Sequence, residues 1–211
     1  MHALTITNAV ANLLALLLNQ EGWVKGVDEL IVTGDLLQSL PDERPSEDVE
    51  EWEKKPFSVT LSGKQFKAAK HCFTSVVEKG NLLPTETVLR LAEALEYEIP
   101  TTEPTIKIKL PNISAKYLSD VFAIQGRLKD PADLIAVCQV INKLPKLDTA
   151  MATDKSREKE LKEWMVVPVE FTITERQRDV CRKVLKATAE DGSVRSNKYI
   201  PALYTEFGLR E

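Results

Sequence analysis

Glu51-Trp52, followed by Leu61-Ser62-Gly63-Lys64-Gln65 and then Glu78-Lys79-Gly80, is the stretch that decides how this chain is read, because it occurs twice. Its second occurrence is Glu163-Trp164, Ile173-Thr174-Glu175-Arg176-Gln177 and Glu190-Asp191-Gly192, at a constant offset of 112 residues. Upstream, a constant offset of 104 residues pairs Asn8 with Asn112, Leu14 with Leu118, Gly22 with Gly126, Leu30-Ile31 with Leu134-Ile135 and Leu40-Pro41 with Leu144-Pro145. The offset changes between Pro41 and Glu51 in the first stretch and between Pro145 and Glu163 in the second, where polar segments of unequal length lie.

These matches predict an α+β, mostly helical protein built by internal tandem duplication. The repeated unit reads strand, helix, helix, loop, strand, helix, helix, over residues 1–100 and again over 104–211, and homodimer habits predict that the copies pack as a pseudo-dimer. Leu4 and Ile6 alternate with polar neighbours as in a half-buried strand, and Ile106-Lys107-Ile108-Lys109-Leu110 repeats the alternation. Asn8 and Asn112 stand where N-caps belong. In the second helix of the unit, about Val27 to Ser39, Leu30, Ile31, Leu37 and Leu40 are expected on the core side, matched by Leu134, Ile135, Ile141 and Leu144. Pro41 and Pro145 end these helices, because proline disfavours helical geometry in the residue before it.

Each polar segment is expected as an exposed loop leading into a short helix, and the longer one, in the second copy, as an extended loop over about 146–162 that is mobile from Asp148 to Lys159. Strands follow at Phe57–Leu61 and Val169–Ile173. Ser62-x-x-Gln65 and Thr174-x-x-Gln177 then fit capping boxes, in which hydroxyl and amide side chains satisfy the first free backbone N–H groups reciprocally. The last helices are expected over about 85–96 and 197–207, and residues 100–104 as a short connector. Strands of about five residues are too short to stand alone, so they pair within a copy or join across copies.

The composition, 43% apolar and 28% charged over 211 residues, is that of a globular protein. Its net charge of −4 conceals an imbalance. Residues 1–103 hold nine Lys and Arg against seventeen Asp and Glu, whereas residues 104–211 hold nineteen against fifteen. An acidic and a basic copy of one core pattern imply different surroundings for the two surfaces. Cys72, Cys138 and Cys181 lie far apart inside apolar patterns, as small buried hydrophobes in a reducing compartment do. The apolar run Ala9 to Leu18 has no basic residue before it and no small-residue cleavage site after it, and is too short to span a bilayer. A soluble cytoplasmic protein without membrane contact is expected.

Chemistry finds little support. His71 and Cys72 are adjacent, which on a helix turns their side chains about 100° apart. The equivalent residues are Lys183 and Val184, and no nucleotide, hydrolase or zinc motif is present. No catalytic residue, metal ligand or cofactor is therefore assigned. The strongest charge pattern is the repeat Arg178, Arg182, Lys186, with Arg176 and Lys183 beside it and Arg195 and Lys198 beyond, a stripe suited to an acidic protein or to phosphates. Trp23, whose counterpart is Arg127, is a candidate interface anchor, since tryptophan is enriched among interface hot spots.

The expectation is a non-enzymatic protein-interaction module: an adaptor, inhibitor or assembly subunit with a protein partner, of a kind that suits a virus or mobile element acting on a host machine. Two alternatives stay open. One is a nucleic-acid-binding regulator using the basic helix over 175–189; the other is a self-assembling structural protein whose acidic half meets the basic half of the next copy.

Overall fold

Two antiparallel two-stranded ladders are set into what is otherwise a helical chain. The computed structural model describes residues 1–41, 48–99, 103–193 and 197–210. It divides into two units: Met1–Ile99 with Leu128–Ile135, and Pro100–Arg127 with Ala136–Glu211. Residues 42–47 of the acidic segment 42–53, residues 100–102 of the connector, and Arg195 lie outside the described residues.

The first unit begins with β1 (His2–Thr7), α1 (Asn8–Leu18), α2 (Val27–Leu37) and α3 (Val49–Lys54). It continues with β2 (Pro56–Leu61), α4 (Gly63–Glu78) and α5 (Glu86–Ala94). β1 pairs antiparallel with β2, Leu4 opposite Val59 and Ile6 opposite Phe57. Leu4 and Ile6 face the core, on which Leu14, Leu36, Phe73, Leu91 and Leu95 are fully buried. Burying each such side chain contributes about 1.5–3 kcal/mol. Ser62 and Gln65 form the expected capping box at the start of α4, and Thr85 caps α5 by accepting from the Val88 N–H.

The remaining elements are β3 (Thr105–Pro111), α6 (Asn112–Phe122), α7 (Pro131–Ile141), α8 (Thr149–Thr153), a 3-10 turn (Lys155–Arg157) and α9 (Glu158–Val166). β4 (Pro168–Thr174), α10 (Glu175–Glu190) and α11 (Ile200–Glu206) close the chain. β3 pairs antiparallel with β4, Ile108 opposite Phe171. The four strands therefore make two separate sheets rather than one. Thr174 and Gln177 form the second capping box, and Asp130 caps α7 through the N–H groups of Ala132 and Asp133.

Three expectations are corrected. Over residues 146–162 helix starts earlier than expected, since α8 and the 3-10 turn occupy most of what was read as the loop before the short helix α9. The Asp148 carboxylate caps α8 at the Ala150 N–H and also holds Arg157 at 2.9 Å, so the polar side chains of this segment organise short helices. The caps of the first helices fall one residue earlier than expected. In α1 it is Thr7 whose hydroxyl accepts from Val10, while the Asn8 amide donates to the Trp52 carbonyl at 3.0 Å. Asn112 does the same to Trp164 at 3.1 Å.

The third correction concerns the buried side of α2. Leu30 and Ile31 are 60% and 56% exposed, whereas Thr33 and Leu36 are buried. The inward stripe is half-buried Glu29 followed by buried Thr33, Leu36 and, just beyond the helix, Leu40, a period that the larger apolar residues obscured. Thr33 can sit inside because its hydroxyl donates to the Glu29 carbonyl at 2.7 Å.

Candidate functional site

The expected stripe on α10 is only partly a free surface. Arg182 reaches the Gly208 carbonyl just past α11, and the Arg178 guanidinium lies beside the same glycine. A cation at the end of a helix suits the negative end of its dipole and satisfies a carbonyl left without an intrahelical partner. Arg178 and Arg182 are accordingly half-buried, while Arg176, Lys183 and Lys186 are exposed. Lys186 stands 3.8 Å from Glu190, and the Lys198 ammonium lies over the Tyr199 ring. Structure thus gathers Arg178 and Arg182 onto one helix end and leaves the other cations on the surface.

The first unit repeats that arrangement. Lys70 donates to the Glu96 carbonyl at 3.1 Å, just past α5, and lies over the Tyr97 ring. Glu96 and Gly208 both take the left-handed conformation, φ 55° and 64°. That geometry is natural for glycine and strained for glutamate.

Trp23 is a core residue and not a surface anchor. It is 1% exposed, its indole N–H donates to the Leu18 carbonyl at 3.3 Å, and its ring meets His71 edge-on. The Arg127 counterpart misled because the same slot in the second unit is filled by an ion pair, Arg127 with Asp191, and not left open to solvent.

Behind Trp23 stands a constellation that adjacency in sequence hid. His71 turns away from Cys72 and pairs through Nδ1 with Glu29 of α2, at 2.7 Å across 42 residues. The other Glu29 oxygen accepts the Lys25 N–H at 2.7 Å. Burial acts to raise the Glu29 carboxyl, but the Lys25 N–H and His71 outweigh it and hold the group below its ordinary value. Burial, helped by the Glu29 charge, pushes the Cys72 thiol up to about 12, so it is no nucleophile at neutral pH. Because Glu29 ionises more readily in the folded chain, its stabilisation is present above the unfolded carboxyl value of about 4.3 and fades as pH falls below it. Glu29→Gln is expected to flatten the loss of stability between about pH 5 and pH 3, as read by urea titration at each pH; an unchanged profile would remove this role.

Among the described residues no group of three or more His, Cys, Asp or Glu could hold a metal ion, and no helix is long and apolar enough to cross a membrane. The features the sequence did not reveal are an uncovered apolar face on α2 and a groove beside β1. Val27, Leu30 and Ile31 are 72%, 60% and 56% exposed at positions i, i+3 and i+4. Gly34 continues this face one turn on, with open space where a side chain would stand. Asp28 and Asp35 flank it, both exposed and without an ion-pair partner among the described residues. No protein-family model matches the chain, nor does any curated protein or any solved structure.

Proposed function

We propose that the chain is a non-enzymatic protein-interaction module that receives an amphipathic helix of a partner protein on α2. The observation that carries this is the exposed Val27, Leu30, Ile31 stripe, whose sequence counterparts Leu134 and Ile135 are buried. Apolar residues at helical spacing with a glycine in the row let a second helix approach closely. The carboxylates of Asp28 and Asp35 on the rim select a partner helix with lysine or arginine along one edge. An adaptor, inhibitor or assembly subunit in the cytoplasm, where three buried free cysteines stay reduced, is the role this surface serves.

The architecture behind the proposal is a tandem duplication. It is supported by recurrent detail: Asn8 and Asn112 on the Trp52 and Trp164 carbonyls, two capping boxes, and Lys70 and Arg182 on the Glu96 and Gly208 carbonyls. A nucleic-acid role for α10 has less behind it, because Arg178 and Arg182 are turned onto Gly208.

The test compares wild type with a Leu30→Asp, Ile31→Asp double variant in affinity purification from the native host, scored by stoichiometry. A stoichiometric partner should bind at least ~30-fold more weakly to the variant, the scale of a lost hot spot. Both side chains are exposed, so the variant loses helix propensity but no packing, and its circular dichroism spectrum should remain that of the folded wild type. Recovery of no stoichiometric partner, or equal retention by the variant, defeats the proposal.

A further inference from the structure

A second surface, separate from α2, follows from the hydrogen-bond register of the first sheet. Asn8 donates its backbone N–H to the Lys55 carbonyl, so residues 2, 4 and 6 bond toward β2 and the peptide groups of Ala3, Thr5 and Thr7 point the other way. The second unit has the same register, with Asn112 donating to Val167, and there the outward N–H of Lys109 is taken by the Glu206 carboxylate of α11 at 3.0 Å. α5 packs on β1 as α11 packs on β3, but Ala94 stands at the position corresponding to Glu206. Thr5 is exposed and its N–H has no partner among the described residues.

Where Glu206 fills the second unit, the first has a groove of ≈ 710 Å³. Thr5 and Thr7 form one side, α5 the other through Thr87, Arg90 and Ala94, and the buried side chains of Ile6 and Val10 line it between them. A groove between an open strand edge and a helix is the place where an extended peptide adds as a strand, about 4.8 Å from its neighbour. The charged lining is Glu53, Glu86 and Glu93 against Lys54 and Arg90. Lys54 pairs with Glu50 outside the groove at 2.6 Å, and Arg90 is shared between Glu93 at 3.0 Å and Glu86 at 3.8 Å, so the lining carries one negative charge more than it has positive ones.

We infer that this groove binds an extended segment of another polypeptide, paired to the outer edge of β1 through Thr5 and Thr7. The segment places a small apolar side chain over Ile6 and Val10 and a lysine or arginine toward the glutamates. A second copy of β1 fits less well, since His2–Thr7 carries neither lysine nor arginine.

The probe is a displayed library of random nonapeptides selected on the full chain, with the selected sequences synthesised and titrated. Peptides enriched in lysine or arginine should emerge, and saturating peptide should slow hydrogen exchange at the Thr5 and Thr7 amides. Thr5→Pro removes an N–H that β2 does not use, a replacement an edge strand accepts. Ala94→Glu supplies the carboxylate the second unit already has. Each should weaken peptide binding at least tenfold, whereas the Leu30→Asp, Ile31→Asp variant should bind the peptides as wild type does, which separates this site from the helix-docking face. The inference is overturned if no peptide rises above background, if affinity ignores Thr5→Pro and Ala94→Glu, if saturating peptide leaves Thr5 and Thr7 amide exchange in the wild-type chain unchanged, or if light scattering finds a dimer that Ala94→Glu dissociates.

Discussion

Trp23→Ala will destabilise the first unit by about 3–5 kcal/mol, the range for emptying a large aromatic site in a packed core. Three losses combine there. The ring is 1% exposed and leaves a void that α1, α2 and α4 can only partly close. Its N–H satisfies the Leu18 carbonyl, one of the last four of α1 and without a helical partner, which truncation strands. Its edge also supports His71, which holds Glu29 and hence the side of α2 that faces α4. Urea unfolding followed by far-ultraviolet circular dichroism measures the cost. A loss below about 1 kcal/mol, the scale of a surface substitution, would return Trp23 to the surface role that its sequence context had implied.

Asn112→Ala is expected to cost about 1–3 kcal/mol, the penalty for a buried polar partner left unmatched. Asn112 is 7% exposed; its side-chain amide donates to the Trp164 carbonyl, and its backbone N–H donates to Val167. The residue thereby ties the start of α6 to the end of α9 and to the beginning of β4. Asn8→Ala should behave alike but more mildly, because Asn8 is half-exposed while making the same pair of bonds to Trp52 and Lys55. Asn→Asp tests the direction of the bond, since a carboxylate cannot donate to a carbonyl and should be at least as harmful as alanine at neutral pH. Chemical denaturation of the three variants decides it. If Asn112→Asp matches wild type, the asparagine acts as an N-cap acceptor after all.

These two residues mark where sequence was legible and where it was not. Strand alternation and the capping boxes of Ser62-Gln65 and Thr174-Gln177 are local signals, written in residues one to four positions apart, and each was readable from the chain, whereas α2 and α7 stop at Leu37 and Ile141, short of the residues before Pro41 and Pro145. Asn8 was placed at a helix start for the right residue type, but its partner lies 44 residues away and reverses its role from acceptor to donor. The same holds for His71 and Glu29, 42 residues apart, where the adjacent Cys72 drew attention to the wrong neighbour. On α2, apolar size pointed to Leu30 and Ile31 as core. Which side of a helix is buried depends on what packs there, and a threonine bonded to its own helix served as well. The open edge of β1 was invisible until the register told inward amides from outward ones.

Each ladder has its central pairs more than fifty positions apart in the chain, Leu4 with Val59 and Ile108 with Phe171. Neither can zip from a tight turn as a hairpin does; every intervening helix must already be gathered before the edges meet. Amides on the inner side of β1 or β3 will therefore exchange only when a whole half of the molecule opens, which makes them natural gauges of global cooperativity rather than of local fraying.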